Sequence, residues 1–295
     1  MKLNPKLCSI CCNELDSYSK VIYKDSRHKY VVCGACGFVC QNPGYNKEYY
    51  KNLGYDTQHN YIEHAMNRAK YIFNFIQYNL MITNYKRDTI DILDIGCGRG
   101  GVLYYLGISM KHFYNNVHLD AITLHEDDYN NKHHSINMSV LDIEDEIDVF
   151  VKTQPTRKYD LIIMSHVLEH LHDPGKALRQ IKEKLLEPFG QIYIEVPSFY
   201  RVEVRAKKVF VPVHISYFTE TSLNNLLLLC GFKTIKVKDS NWWGNIKCLV
   251  TKIQDDYVYD HFRTEHLVKT KYYLYKIINL FYESISKFKH IESND

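Results

Sequence analysis

The chain is predicted to be an α/β protein built on a doubly wound, mostly parallel sheet, and three observations lead there. Strand-like runs at 90–95, 116–119, 160–164, 191–196, 233–237 and 246–251 alternate with helical stretches. The first run ends in an acid and passes at once into glycines, Ile92-Leu93-Asp94-Ile95-Gly96-Cys97-Gly98-Arg99-Gly100-Gly101. Such a junction turns the backbone sharply and lets a nucleoside or phosphate come close. Finally, 295 residues with 45% apolar and 24% charged side chains suffice for one well-cored domain plus smaller modules.

The net charge of +3 neither demands nor excludes a nucleic-acid partner, and no Lys/Arg run forms a phosphate-binding stripe. The 25 tyrosines, with abundant Asn, Lys and Ile, suggest an AT-rich bacterial or large-virus genome. No apolar signal core opens the chain and no segment reaches the length of a membrane span. Nine unevenly clustered cysteines suit reduced thiols better than a disulfide framework. A cytoplasmic location is expected, in the host cytoplasm if the protein is viral.

Residues 1–45 read as a zinc ribbon-like module. Cys8-x-x-Cys11 and Cys33-x-x-Cys36 each offer two thiolates, and together they complete a tetrahedral four-cysteine site. Structural zinc is the expected occupant, with iron, disulfides or free thiols as alternatives. Lys20–Lys24 and Lys29–Val32 read as short strands between the knuckles, while Cys12 and Cys40 have the wrong spacing and read as spare thiols.

Residues 46–88 are expected to be a linker followed by a covering helix. Ile62, Ala65, Met66, Ala69, Ile72, Phe73, Ile76 and Leu80 recur at helical spacing, opposite Glu63, His64, Arg68 and Lys70. The main domain spans 89–253. Within it Pro174 to Leu186 is the clearest helix, and 233–237 with 246–251 reads as an antiparallel edge pair. Residues 254–295 are expected to be helical. Their stripe of Leu274, Ile277, Ile278, Phe281, Ile285 and Phe288 suits packing on the domain, a homodimer seam or a membrane surface.

The glycine loop admits two ligands. Gly96-x-Gly98-x-x-Gly101, with Asp120 some way downstream, spells a dinucleotide fingerprint. Asp94, however, would repel a pyrophosphate and welcome a ligand with a cationic end. Asp120, read as closing the second strand, can accept ribose hydroxyls in either case. Asp142, after a further short segment, can accept from an adenine amino group. Together these acids favour an uncharged or cationic nucleoside.

The set ILDIGCGRGGVL at 92–103, Asp120, Asp142, YDLIIMSHVLEHLHDPGKAL at 159–178 and GQIYIEVP at 190–197 resembles the class I S-adenosylmethionine-dependent methyltransferases. The resemblance implies a Rossmann-like, seven-stranded sheet with an antiparallel edge strand. It implies S-adenosyl-L-methionine as cofactor, held by Asp94, Gly96, Cys97, Gly98, Asp120, Leu141, Asp142, Ser165 and His166. The two CxxC knuckles, the run Cys33-Gly-Ala-Cys-Gly-Phe-Val39 and Tyr49-Tyr50 are similar to a narrower group, the bacterial sugar methyltransferases. That group's histidine is matched by His214, but Val213 and Val211 stand at its Glu and Tyr positions, and the chain ends 44 residues after Thr251. These departures point away from carbon methylation and toward a hydroxyl of a sugar, a nucleotide sugar or a similar small metabolite.

In-line displacement needs an aligned acceptor, and a hydroxyl acceptor also needs a base. His214 is the first candidate because it lies in the substrate-side segment, followed by His166 at the mouth of strand 160–164 and His170 one turn on. Trp242, Trp243 and Asn245 are candidates to border the acceptor. Rival readings are an RNA or protein methyltransferase gripping its substrate through the zinc module, a non-catalytic methyltransferase-fold partner, and a nicotinamide oxidoreductase. Against the first, Lys20, Lys24, Arg27 and Lys29 are countered by Glu14, Asp16 and Asp25.

Overall fold

The computed structural model describes residues 7–11, 14–15, 19–24, 28–41, 61–83, 87–126, 128, 133–200, 210, 213–239 and 244–253. The expectations for Cys12, Tyr49, Tyr50, Val211, Trp242, Trp243 and the stretch 254–295 lie outside these residues.

Near the start, β1 (Ser19–Lys24), β2 (Lys29–Cys33) and β3 (Val39–Gln41) form an antiparallel meander, close to the strands expected between the cysteine knuckles. Helix α1 (Tyr61–Thr83) follows, then β4 (Thr89–Ile95), α2 (Gly101–Met110), β5 (Asn116–Thr123) and β6 (Asn137–Val140). Next come α3 (Ile147–Thr153), β7 (Tyr159–Ser165), a 3-10 turn (Leu168–His170), α4 (Pro174–Lys184) and β8 (Leu186–Pro197). The described chain finishes with β9 (Ser216–Tyr217), α5 (Glu220–Leu229), β10 (Phe232–Asp239) and β11 (Asn245–Lys252).

Seven strands make the main sheet in the order β10-β11-β8-β7-β4-β5-β6. Strands β6, β5, β4, β7 and β8 pair in parallel, and β11 is antiparallel to both of its neighbours. The antiparallel strand therefore lies one position in from the edge, not at it: β10 is the edge and runs with the parallel set. Strands β10 and β11 pair antiparallel, in keeping with a link from 239 to 245 that is too short for a crossover helix.

Alternation along each strand feeds two cores on opposite faces of the sheet. Ile162 and Met164 join α4 and α5 on one face, whereas Leu161 and Ile163 join α1 and α2 on the other. Each fully buried Ile or Leu contributes about 1.5–3 kcal/mol. Helix α1 buries Ala65, Ala69, Ile72, Phe75, Ile76 and Leu80, but Ile62 and Met66, expected on that face, are exposed. They lie in its first two turns, before the helix reaches the sheet-facing core. Helix α4 starts cleanly because Asp173 accepts from the Lys176 amide at 2.8 Å and Pro174 needs no hydrogen-bond partner. It stops at Lys184, two residues short of expectation, because Leu186 already belongs to β8. Helix α5 opens on a reciprocal Thr219–Ser222 cap.

The N-terminal meander is not free-standing. Its sheet is completed by β9, with Val39 opposite Tyr217 and Cys40 opposite Ser216, and the Gln41 amide donates to the Ile215 carbonyl at 2.8 Å. Cys8, Ile10, Leu15 and Phe38 share one buried cluster with Val196 and Phe218 of the main domain.

Candidate active site

Strand β4 delivers Asp94 almost fully buried at the mouth of the glycine loop. Burial pushes its carboxyl up to about 7, against the opposing pull of the Arg68 guanidinium. The next peptides fold back on β5: the amides of Gly96 and Cys97 both donate to the Ile122 carbonyl, at 2.8 and 3.1 Å. Gly96 has φ +75° and a Cβ there would sit 2.6 Å from Val167 Cγ2, so only glycine lets the loops after β4 and β7 touch. Gly98, at φ +54°, faces open space. The Cys97 thiol donates to the Gly98 carbonyl at 3.1 Å and is pushed up by burial, then by the Asp94 and Asp128 carboxylates.

Asp120 does not close the second strand. Strand β5 runs on to Thr123, so Asp120 sits mid-strand, 1% exposed. Its carboxylate accepts from Asn137 Nδ2 at 2.8 Å, Arg157 at 2.8 Å and Tyr159 Oη at 2.9 Å. It thus ties β5 to β6 and β7 from within, with both oxygens engaged. The strand end instead carries Thr123, whose hydroxyl donates to Asp128 at 3.2 Å. Leu141 is drawn to the same edge by its amide, which donates to the Thr123 carbonyl at 2.9 Å. Asp142 caps the turn that follows, accepting from the Glu144 amide at 3.0 Å.

A second buried acid organises the other half of the cleft. Glu195, near the end of β8, accepts through Oε2 from Arg68 at 2.9 Å, Ser165 at 3.0 Å and Tyr193 at 3.1 Å, and through Oε1 from Asn245 at 2.6 Å. Burial works against its ionisation, but Arg68, Asn245, His166 and Lys247 outweigh burial and hold it below the usual carboxylate range. Arg68 also donates to Ser165 at 2.6 Å, so helix α1 reaches across the ends of β7 and β8.

His166 directly follows β7 with φ 59°, the one non-glycine with positive φ among the described residues. Strain of that kind persists only where neighbours hold it. Its amide donates to the Glu195 carbonyl at 2.8 Å, and Nδ1 lies 3.0 Å from Glu169 Oε1. A carboxylate only accepts, so Nδ1 carries the proton and Nε2 accepts from Asn245 Nδ2 at 3.2 Å. The result is a continuous chain from Glu195 through Asn245 and His166 to Glu169. Glu169 is 1% exposed; burial opposes its ionisation, yet the His166 hydrogen bond and the charges of His166, His170 and His214 bring it down to about 2.

His170 and His214 gather on the other side of Glu169. Nδ1 of His170 donates to the Val213 carbonyl at 2.9 Å, and the His170 and His214 rings meet edge to face at 4.9 Å. The Ile215 amide donates to the Glu169 carbonyl at 2.8 Å, so the 3-10 turn and the N-terminal meander clamp the His214 segment between them. Farther out, the Sγ atoms of Cys8, Cys11, Cys33 and Cys36 lie within 4.8 Å of one another, with Cys8–Cys36 at 3.6 Å and Cys11–Cys33 at 3.5 Å. A disulfide needs about 2.05 Å, so these thiols are not paired covalently.

A protein-family model described as a methyltransferase domain matches residues 61–237, from the start of α1 into β10. The chain belongs to this methyltransferase family. No curated protein sequence matches it. Among solved structures, this methyltransferase is similar to the plantazolicin methyltransferase BpumL, in a complex with a monoazolic desmethylPZN analog and SAH. That match has 17% identity, covers 70% of this chain and 89% of the other, and has a TM-score of 0.51. It is also similar to the plantazolicin methyltransferase BamL at 15% identity, covering 65% and 87%, with a TM-score of 0.51. An S-adenosylmethionine-dependent methyltransferase from Clostridium acetobutylicum matches at 14% identity over 71% and 96%, with a TM-score of 0.46. At such identities the first two likenesses establish the Rossmann-like methyltransferase fold.

Of the residues expected in the site, the methyltransferase brings Asp94, Gly96, Cys97, Gly98, Ser165 and His166 to the C-terminal ends of β4 and β7. Asn245 joins them from the start of β11, and Leu141 and Asp142 flank the β5 edge. Arg68 and Glu195 were not singled out as site residues. Arg68 meets partners 97 and 127 residues away, and no local pattern marks that. Glu195 did leave a trace, as an acid interrupting the apolar run Ile192–Val196. Carrying the second strand's alternation on to Thr123 would have placed Asp120 in mid-strand.

Proposed function

We propose that this methyltransferase binds S-adenosyl-L-methionine over the glycine loop and transfers its methyl group to a hydroxyl of a small acceptor, a sugar or nucleotide sugar being the class to test first. The carrying observation is that Asp94, the Glu195–Arg68–Ser165 group and the His166–Glu169 pair converge at the C-terminal ends of three adjacent parallel strands, where this fold places its ligands. Asp94 and Arg68 offer a carboxylate and a guanidinium about one amino-acid end group. The residues fit the cofactor: buried Asp94 suits its ammonium, Arg68 its carboxylate, Asp128, which accepts from Thr123 at the end of β5, its ribose, and Leu141 with Asp142 its adenine. S-adenosylmethionine brings a methyl group already activated on a sulfonium.

The protein's share of the chemistry is alignment and proton removal. His166 replaces His214 as the base of choice. Its Nδ1 proton is fixed on Glu169, its Nε2 lone pair points along the cleft toward Asn245, and its side chain is 33% exposed. An acceptor hydroxyl that displaces the Asn245 amide from Nε2 passes its proton there, and Glu169 and Glu195 stabilise the resulting imidazolium.

The four-cysteine cluster is assigned to a structural zinc ion. Ligands about 2.3 Å from a tetrahedral zinc stand about 3.8 Å apart, near the 3.6 and 3.5 Å sulfur separations of this cluster, and four thiolates leave no position open for catalysis. Residues 1–45 would then act as a brace: with zinc in place, β3 holds β9 and the segment before it. Among the described residues no helix is long and apolar enough to cross a membrane. Incubating the protein with S-adenosylmethionine and a panel of free and nucleotide-linked sugars, with release of S-adenosylhomocysteine as readout, tests the reading. Turnover should fall at least about 100-fold in His166→Asn. Full turnover in that variant removes the base assignment, and release only with RNA or protein acceptors removes the small-acceptor reading.

A further inference from the structure

We infer a second metal site, distinct from the four cysteines: Glu169, His170 and His214 form a three-ligand seat for a divalent first-row transition ion such as zinc. One donor atom from each residue lies within 4.8 Å of the other two. Two imidazoles and a carboxylate are the donor set of open, catalytic zinc sites, in which a fourth position is left for water or substrate.

Three observations support a ligand here beyond the clustering. Glu169 Oε2 is buried with no hydrogen-bond partner among the described residues, while Oε1 is occupied by His166. A buried carboxylate oxygen left unpartnered is costly, so something outside the protein's own hydrogen bonds is expected to meet it. His170 is oriented as metal-bound histidines are: Nδ1–H donates to the Val213 carbonyl, and Nε2 lies 3.9 Å from Glu169 Oε1. Two backbone bonds at Ile215 hold the His214 segment: its amide donates to the Glu169 carbonyl and its carbonyl accepts from the Gln41 amide. Ligands at about 2.0–2.2 Å from a shared ion need separations of roughly 3–3.6 Å, which small side-chain rotations supply.

The ion would sit beside His166, sharing Glu169 with it. An acceptor hydroxyl on the open position would be polarised by the ion and become more acidic. That role rests on the methyl-transfer reading above; binding of the ion does not.

Cobalt(II) titration of the full chain, stripped with chelator, separates the two sites without cofactor or acceptor. Thiolate ligation gives intense near-ultraviolet charge-transfer bands, whereas a His2Glu site gives only weak visible bands. Two equivalents are expected in the wild type. His214→Ala and His170→Ala should each weaken the equivalent lacking thiolate bands by about 100-fold or more and leave the thiolate bands intact, which also reports that the fold persists. A single thiolate-type equivalent in the wild type, or a second equivalent unaffected by both substitutions, overturns the inference. Second-site binding with no turnover on any acceptor upholds the metal site and sinks only the activity assignment.

Discussion

Replacing Gly96 and Gly98 separately by alanine probes why the glycine loop has the sequence it has. Both residues take positive φ, at +75° and +54°. Left-handed backbone costs an L-residue about 1–2 kcal/mol, so each substitution carries that penalty. The two differ in what the new methyl group meets. At Gly98 nothing lies within 4 Å, whereas at Gly96 it lands 2.6 Å from Val167 Cγ2, well inside contact distance. Overpacking of this kind adds about 1–3 kcal/mol, so Gly96→Ala should cost about 2–5 kcal/mol in total. A domain of this size loses about 2–4 °C per kcal/mol, giving expected shifts of about 2–8 °C for Gly98→Ala and about 4–20 °C for Gly96→Ala. Thermal melts with and without S-adenosylhomocysteine measure both, and the ligand-induced rise in Tm should shrink most in Gly96→Ala because Val167 adjoins His166. Equal destabilisation by the two substitutions, with equal ligand response, would refute the claim that contact between the β4 and β7 loops fixes the site.

Three further outcomes are expected. Because Asp94 is protonated below about pH 7 in the free protein, affinity for the cationic end of S-adenosylmethionine should be flat above that pH. Below it, affinity should fall toward tenfold per unit, as calorimetry at several pH values will show; Asp94→Asn should bind weakly at every pH. Asp120→Asn removes the charged acceptor shared by Arg157, Asn137 and Tyr159, so urea titration should record a loss of about 1–3 kcal/mol. S-adenosylhomocysteine affinity should stay within about twofold; a selective loss of affinity would restore Asp120 to the cofactor site. Chelation of the four-cysteine ion should raise proteolytic nicking in the stretch 210–216 while leaving the main sheet's circular dichroism in place, because β3 is the strand that holds β9. Unchanged nicking would disconnect the N-terminal meander from His214.

Strand alternation, the helix of α4 and the acid-to-glycine junction were legible because their causes are local. An apolar run with period two, Pro174 after a capping Asp173, and glycines at positive φ each need only near neighbours in sequence. The cysteine knuckles were legible for the same reason, since CxxC spacing already brings two thiols together. The strand ends were less so: β5 extends four residues beyond the expected 119, through Ala121 and Ile122 to Thr123, which leaves Asp120 in mid-strand. The sequence also ranked His214 above His166, because it carried the family pattern but not the tautomer that Glu169 and Asn245 impose.

By itself, then, the chain's order of residues determined a doubly wound sheet with a ligand loop after its first strand and a four-thiol cluster near its start. Only the tertiary structure decided which polar side chains share the cleft. Arg68, Ser165, Glu195 and Asn245 come from four separate elements, and His214 is held by a strand of the N-terminal meander. Burial within a few ångströms of one another sets their charges and proton positions, and that proximity depends on how the elements pack, which no local pattern encodes.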